Sequence, residues 1–223
     1  MSKIKSDAHI YLTPVDAAAP ATHALSGITS ATPPVVTSTA ALPAGMAAGD
    51  FVVLDGTGEG YLDGDGFRVA NVVGLTFALD YADGSRITPA VTQGNYALYS
   101  KNGTGAMLSA CMASITVTGQ APDSITMDDM CGTSTVLGDA KPPTFTFSGF
   151  SDQDSEGYQN LWRAATETPK PTVWALFDFG ADGGYIFGPV QIGEMTVTAQ
   201  TNQGLQFSGA GVFTEMPTYS WAL

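Results

Sequence analysis

Apolar and polar residues alternate one by one near the C-terminal end of the chain. Along residues 194–200, apolar side chains occupy every second position and polar side chains lie between them. Successive side chains of a β-strand point to opposite faces of a sheet, so this alternation predicts a strand with one buried side and one solvent-facing side. The polar positions of this strand are Glu194, Thr196, Thr198 and Gln200.

Similar patterning predicts further strands in the second half, at 115–118, 145–147, 173–179, 185–192 and 205–213, in addition to 195–200. A bend near Gly193 is expected to separate the strands at 185–192 and 195–200. Phe145 and Phe147 are two positions apart and should share one face of their strand. The second half is therefore predicted to form an antiparallel sheet with one buried face.

One segment of this half has helical periodicity. Its apolar residues recur at i, i+3, i+4 and i+7 and should form one stripe on a helix. The stripe consists of Tyr158, Leu161, Trp162 and Ala165. Ser151 with Asp154 resembles a capping box at the start of this helix, and Pro169 is expected to stop it.

Short β-rich runs separated by tight turns fill the first half. A strand at 8–14 and an Ala- and Pro-rich connection precede runs at 35–39, 50–54, 66–73, 75–80 and 96–100. The turns contain Asp-Gly pairs such as Asp63-Gly64 and Asp83-Gly84, which suit positive φ and Asx-turn geometry. This half is predicted to contain a small all-β unit.

Residues 119–143 are rich in turn residues and only weakly periodic, so we expect a long loop there. Several of its apolar side chains follow no pattern that would bury them within the chain. These are Ile125, Met127, Met130 and Leu137.

The chain of 223 residues is strongly acidic, with 21 Asp and Glu against 8 Lys and Arg and a formal net charge of -13. So few cations disfavour binding to a nucleic-acid backbone by charge. No apolar run approaches the roughly 18 residues of a membrane span, and the N-terminus lacks the apolar stretch of a signal peptide. We therefore expect the chain to stay in the cytoplasm. Because that compartment is reducing, we expect Cys111 and Cys131 to be buried free thiols and not a disulfide.

Motifs for chemistry are weak. Two histidines, and no nucleotide-binding or nucleophile-elbow motif, predict no catalytic site and no cofactor. Asp152, Asp154 and Glu156 resemble the start of a calcium loop, but Arg163 occupies the position of its final glutamate, so we expect no metal there. Calcium binding at the acidic turns near Asp63 stays open as an alternative. So does an enzyme with two carboxylates paired in a cleft for glycoside hydrolysis, because one sequence does not show spatial pairing.

The order and spacing of the second half resemble the tail tube proteins of long-tailed bacteriophages. The resemblance covers residues 100–223 and the strand near Ile10, and rests on order and spacing. Its segments are 115–119 (Ile-Thr-Val-Thr-Gly), the stretch from Pro122 onward, 145–150 (Phe-Thr-Phe-Ser-Gly-Phe), the helix, 188–192 (Gly-Pro-Val-Gln-Ile) and 205–214. Segments at 27–32, 42–56 and 62–79 resemble small β-barrel modules of phage tail proteins, similar to a subdomain of ubiquitin-activating enzymes.

The resemblance implies a mostly β protein. Residues 1–24 and 100–223 would form a discontinuous tail-tube β-sandwich or barrel with one flanking helix, and residues 25–99 an inserted small all-β module. Such proteins assemble as hexameric rings that stack into a virion tail tube, built in the host bacterial cytoplasm, through which DNA leaves without specific binding. A tape measure protein and tail terminator or tip proteins are the implied partners, with no membrane.

This framework assigns roles to three sets of residues. The polar positions at 194–200 are expected to face the lumen. The 119–143 loop is expected to stack between rings. This loop should be disordered in the monomer and ordered in the tube. The stacking residues are Asp123, Ile125, Met127, Met130 and Leu137. The apolar C-terminal arm, with Tyr219, Trp221 and Leu223, is expected to pack on a neighbouring subunit. The inserted module should project outward, and its deletion should leave tubes that polymerise.

Two alternatives remain. A carbohydrate-binding or adhesin-like β module would stay a discrete particle and present an aromatic platform from residues such as Trp162 and Trp174. A baseplate or capsid-decorating protein would share the fold without elongating.

Overall fold

The computed structural model describes residues 9–80, 82–101, 106–120, 124–129, 132–137, 141–150, 153–179, 184–200 and 203–220. Within these residues the protein is mostly β, as predicted, with one α-helix, α1 (Glu156–Thr166), and a 3-10 turn at Gly84–Arg86. The strands are β1 (His9–Leu12), β2 (Thr22–Ile28), β3 (Val35–Ser38), β4 (Phe51–Asp55), β5 (Gly66–Val73), β6 (Thr76–Asp80), β7 (Asn95–Tyr99), β8 (Leu108–Cys111), β9 (Ser114–Gln120), β10 (Ser124–Asp129), β11 (Gly132–Leu137), β12 (Lys141–Phe150), β13 (Val173–Asp178), β14 (Tyr185–Gln200), β15 (Gln203–Phe213) and β16 (Thr218–Ser220).

The larger sheet is antiparallel and has the strand order β8-β1-β13-β14-β15-β12-β9, with β16 also paired to β14. Its first and last strands, β8 and β9, are joined by only Met112 and Ala113, and the Ala113 N–H donates to the Ser148 carbonyl at 2.8 Å. The sheet therefore folds back on itself, and we call it the folded sheet.

The core of the folded sheet lies between its two halves. Phe145 of β12 packs edge-on against Phe177 of β13, with ring centroids 4.8 Å apart, although these strands are not neighbours in the sheet. Phe145 and Phe147 share the buried face, as their spacing predicts. Helix α1 contributes Tyr158, whose ring lies 5.3 Å from that of Phe207 on β15. Fully buried rings and helix residues thus form one continuous core.

Three phenylalanine rings of this core lie over glycines of the neighbouring strand. The cross-strand pairs are Phe145 with Gly211, Phe147 with Gly209, and Phe207 with Gly149. A Cβ atom on any of these glycines would lie 2.3–2.7 Å from the partner ring. The glycines therefore make room for aromatic rings where β12 and β15 pair.

The small all-β unit of the first half is a closed barrel with the order β2-β3-β6-β5-β4-β7, closed by pairing of β7 with β2. Its interior is filled by apolar side chains such as Val36, Leu54 and Phe77, all fully buried. Buried Asp50 accepts hydrogen bonds from the Ala47 N–H, the Ser100 hydroxyl and the Lys101 N–H, which tie the approach to β4 to the end of β7.

An aromatic junction joins the barrel to the folded sheet. The ring of Phe51 stacks 4.8 Å from that of Phe187 on β14, and Tyr99 contacts Trp174 and Phe187 at 5.0 and 5.6 Å. Burial at this junction raises the pKa of Tyr99. The Lys101 Nζ pairs with the Asp178 carboxylate at 2.8 Å at its rim.

Gly66 is the point of closest approach at this junction. A Cβ on Gly66 would lie 2.1 Å from Cδ1 of Phe187, and the Gly66 N–H donates to the Thr218 hydroxyl at 3.0 Å. Phe187 and Thr218 are directly opposite each other on β14 and β16. The barrel therefore rests on the folded sheet through a contact that only glycine permits.

Several sequence predictions about local structure are wrong. The strands predicted at 185–192 and 195–200 are a single strand, β14, with a register shift between Ile192 and Met195 where a bend was expected. The 119–143 region holds a two-stranded hairpin, β10 with β11, instead of a long loop. A strand also occupies 22–28, in the predicted connection.

The helix and one cysteine differ from prediction as well. The N-cap of α1 is Ser155 and makes no side-chain capping bond, so no capping box involving Asp154 begins this helix. Trp162 is 38% exposed, and the buried face instead contains Asn160 and Ala164. Asn160 is buried because its amide bonds the backbone of Val15 and Thr13. Cys111 is an exposed thiol, since its strand lies at the end of the sheet order; Cys131 lies outside the described residues.

Candidate functional site

The strands β14, β15, β12 and β9 present a polar outer face. The alternation predicted along residues 194–200 is present, since Glu194, Thr196 and Thr198 are exposed while Met195 and Val197 pack on the core. Gln200 is the last residue of β14.

Hydroxyl side chains continue this face across all four strands. Thr196, Ser208, Ser148 and Ser114 are successive cross-strand partners from β14 to β9. The hydroxyls of Ser114 and Ser148 lie 2.7 Å apart and share a hydrogen bond. A second row runs through Ala210, Thr146 and Thr116. The outer face therefore carries rows of hydroxyl groups, together with the exposed side chains of Phe150 on β12 and Val212 on β15. We call it the hydroxyl face.

Two strand edges border the hydroxyl face. On one side β14 pairs with β13 only as far as Val190, and among the described residues no strand pairs with that edge of β14 from Gln191 to Gln200. On the other side β9 pairs only with β12 in the described part of the chain. Unpaired N–H and C=O groups along a strand edge are a template for another strand.

Of the four strands that form this face, only β14 was predicted from the sequence to contribute site residues. Alternation identified the β14 residues. The hydroxyl residues of β15, β12 and β9 join them on one face only through the pairing register of these strands, which the sequence of each strand does not specify. Alternation in 115–118, Ile-Thr-Val-Thr, could have identified Thr116 and Thr118 as outward residues of an edge strand. Which strands are edges is set by pairing and leaves no local signal.

Three of the five predicted stacking residues lie within the described part of the chain. Ile125 and Met127 belong to β10 and Leu137 to β11, in the hairpin that connects β9 to β12. Asp123 and Met130 lie outside the described residues. The structure brings the two halves of this segment together by pairing Ile125 with Val136.

The C-terminal segment folds back on the same chain. Tyr219 lies in β16, opposite Ile186 of β14, and its side chain is 41% exposed. Trp221 and Leu223 lie outside the described residues. The structure therefore places the start of this arm beside the aromatic junction.

The acidic turns of the barrel are organised by their own hydrogen bonds. Partial desolvation raises the pKa of Asp63, but bonds from the Thr57 hydroxyl, the Thr57 N–H and the Gly58 N–H outweigh it and lower that pKa below its usual value. Burial raises the pKa of Asp65, against a hydrogen bond with Thr218. Among the residues described, no group of three His, Cys, Asp or Glu side chains could hold a metal ion.

Comparison with known proteins gives structural neighbours in gene transfer agent particles. No protein-family model matches the chain, and no curated protein matches it. A chain from the virion of a native gene transfer agent particle is 11% identical, with a TM-score of 0.40 over 50% of this chain and 85% of the neighbour. A chain from the C6-symmetric tail of an empty gene transfer agent particle is 13% identical, with a TM-score of 0.41 over 52% of this chain and 88% of the neighbour. Within the described residues, no helix is long and apolar enough to cross a membrane.

Proposed function

We propose that this protein is a structural subunit of a phage-type tail tube, which assembles into stacked hexameric rings and encloses the path of DNA during ejection. The observation that carries the proposal is the hydroxyl face with an open strand edge on each side. A surface bordered by two different open edges suits head-to-tail assembly, because each edge of one copy can pair with the opposite edge of the next.

Strand direction supports closure into a ring. The strands β14, β15, β12 and β9 alternate in direction, so β9 runs opposite to β14. Rotation about an axis that runs along the strands keeps the direction of each strand. The β14 of one copy would therefore be antiparallel to the β9 of its neighbour. Pairing can then continue from copy to copy with every hydroxyl face on the same side of the ring.

The chemistry of the hydroxyl face supports a duct for DNA. Serine and threonine hydroxyls offer weak, exchangeable hydrogen bonds, and Glu194 adds a negative charge. With 8 basic residues against 21 acidic ones, the chain offers little positive charge to retain phosphates. We place the hydroxyl face on the lumen side for this reason.

The remaining parts receive roles consistent with this arrangement. The hairpin of β10 and β11 would contact the next ring, the C-terminal arm would reach a neighbouring subunit, and the barrel would lie on the outside. A tape measure protein and terminator or tip proteins would be its partners in the virion tail. No catalytic role is proposed.

Microscopy of the purified protein tests assembly directly. We expect stacked rings or tubes by negative-stain and cryo-electron microscopy at high protein concentration, with sixfold symmetry in end views. Discrete monomers or trimers at every concentration would instead favour a surface binding module. Closed rings that never elongate would favour a baseplate or decorating protein.

Thiol labelling tests which face lines the lumen. In a background with Cys111→Ser and Cys131→Ser, Thr146→Cys should react in tubes with a small maleimide but resist a bulky polymer-linked maleimide. The matched control is Thr22→Cys on the exposed surface of the barrel, which should react with both. Rapid bulky labelling of Thr146→Cys in intact tubes would place the hydroxyl face on the outer wall and contradict the proposal.

A further inference from the structure

Lys170 occupies the edge of β14 at its register shift. Continuing the pairing of Val173 with Val190 back along the chain would bring Lys170 opposite Gly193. The Lys170 Nζ donates to the Gly193 carbonyl oxygen at 2.7 Å, where a ladder bond would otherwise form. The same ammonium group donates to the Ala165 carbonyl in the last turn of α1, where a cation is favoured by the helix dipole.

A second side-chain contact lies next to this one. The Gln191 Nε2 donates to the Thr172 hydroxyl at 3.2 Å, so side chains bridge the edge of β14 at both Gln191 and Gly193. The register shift between Ile192 and Met195 changes the course of the strand at the same place. Irregularities and charged side chains of this kind are known ways of ending strand pairing at an edge.

The segment left open beyond this point matches β9 in length. It runs from Glu194 to Gln200, and β9 also contains seven residues. Antiparallel alignment of the two segments end to end puts Thr118 opposite Thr196 and Thr116 opposite Thr198. All four side chains are exposed on the hydroxyl face, so this register keeps polar residues beside polar residues. A slip by one residue would bring exposed positions beside positions that pack on the core.

We infer that, in the assembled ring, β9 of one copy pairs with Glu194–Gln200 of the next copy in this register, and that Lys170 sets it by blocking extension past Glu194. The inference rests on the proposed function and specifies its interface. Lys170 acts as a positioning residue, because a neighbouring strand that slipped by two residues would have to displace its bond to Gly193.

Cysteine cross-linking reads the register. In the background without Cys111 and Cys131, Thr118→Cys combined with Thr196→Cys should form disulfide-linked chains in assembled protein. Thr118→Cys combined with Glu194→Cys, which reports a slip of two residues, should cross-link poorly. Efficient cross-linking of the second pair in otherwise unchanged protein would overturn the inference, whatever Lys170 variants do.

Substitution of Lys170 tests its role. Lys170→Met keeps a long apolar stem but removes the donor, so cross-linking of the Thr118→Cys and Glu194→Cys pair should rise severalfold while the first pair falls. Lys170→Arg keeps a cationic donor and should retain the original pattern. Thermal unfolding of both variants checks that each is folded.

The outcomes separate the two proposals. An unchanged cross-link pattern in folded, assembled Lys170→Met protein would overturn the role of Lys170 and leave the proposed function standing. If protein with all native residues forms no rings or tubes at any concentration, the proposed function fails and this inference fails with it.

Discussion

The barrel and the folded sheet solve the problem of strand edges in different ways. Every barrel strand pairs on both sides, because β7 pairs with both β2 and β4 and thus closes the ring of strands. In the folded sheet, β9 and the second half of β14 keep one side without a strand partner among the described residues. The barrel pairs all its strands within one chain, whereas the folded sheet leaves strand edges with which a second copy could pair.

In the proposed assembly, this difference assigns the contacts between copies to the folded sheet and not to the barrel. A closed barrel has no open strand edge, so it cannot extend its sheet into a second copy. The barrel is also held in place, because Phe51 and Phe187 stack and Gly66 meets Phe187 directly. We therefore expect assembly to depend on the folded sheet, and the barrel to affect mainly the stability of each subunit.

Removing the barrel should produce the largest effect. Replacing residues 17–106 by a short Gly-Ser linker is geometrically possible because Leu12 of β1 pairs with Leu108 of β8. The deletion would uncover Leu176 and Phe187, both fully buried now, at a cost of roughly 1.5–3 kcal/mol for each side chain. Urea unfolding should show this loss, while electron microscopy should still show edge-to-edge assembly.

The excised barrel is the matching half of this experiment. Residues 20–101 should fold alone and stay monomeric by analytical ultracentrifugation, since the barrel has its own core and closed hydrogen bonding. Assembly of the isolated barrel, combined with loss of assembly in the deleted chain, would reverse the comparison.

A pair of glycine substitutions should have an intermediate effect within the folded sheet. Gly211→Ala puts a methyl group 2.3 Å from the ring of Phe145, and should cost about 1–3 kcal/mol of unfolding free energy through overpacking. Gly119→Ala on the edge strand β9 meets no atom within 4 Å and should instead stabilise by about 0.4–1 kcal/mol through the unfolded chain. The urea midpoints of the two variants, measured on dilute, unassembled protein, compare their stabilities. Equal midpoints for the two variants would argue against tight packing of Phe145 on Gly211.

Acid should weaken the barrel slightly through Asp63. Since the pKa of Asp63 is lower in the folded state than in the unfolded state, its stabilising contribution is present above about pH 4 and is lost as the pH falls further. Asp63→Asn should therefore lower stability more at pH 7 than at pH 3. Urea unfolding of the excised barrel at both pH values measures this, and an equal deficit at both would show that the carboxylate charge does not contribute.

The sequence predicted the class of fold because alternation and turn residues are local signals. The strand at 66–73 and the shared face of Phe145 and Phe147 followed from two-residue periodicity and Asp-Gly turns. The continuity of β14 through Gly193 did not, because a glycine in a strand is compatible with either a turn or a bulge, and pairing with β15 on both sides of the shift decides between them. The hairpin at 124–137 was missed because its alternation is weak.

The candidate site was predictable only in part. Glu194, Thr196 and Thr198 were identified from alternation alone and are exposed as expected. Their continuation through Ser208 and Ser148 depends on the cross-strand register, which a single strand does not specify. The position of Lys170 beside Gly193 depends on tertiary structure, because 23 residues separate the two in sequence.

The alternating direction of β14, β15, β12 and β9 has a consequence for how such a protein can change over evolutionary time. In the proposed ring, a single added strand would make β9 parallel to the β14 of its neighbour, so new segments are tolerated at this sheet only if they return to their starting point. Both large segments that interrupt the folded sheet obey this rule. The chain leaves for the barrel and returns between the adjacent strands β1 and β8, and it leaves for the β10–β11 hairpin and returns between β9 and β12. In the proposed ring, the subunit can therefore acquire whole domains at its hairpins while the interface between copies keeps its strand count.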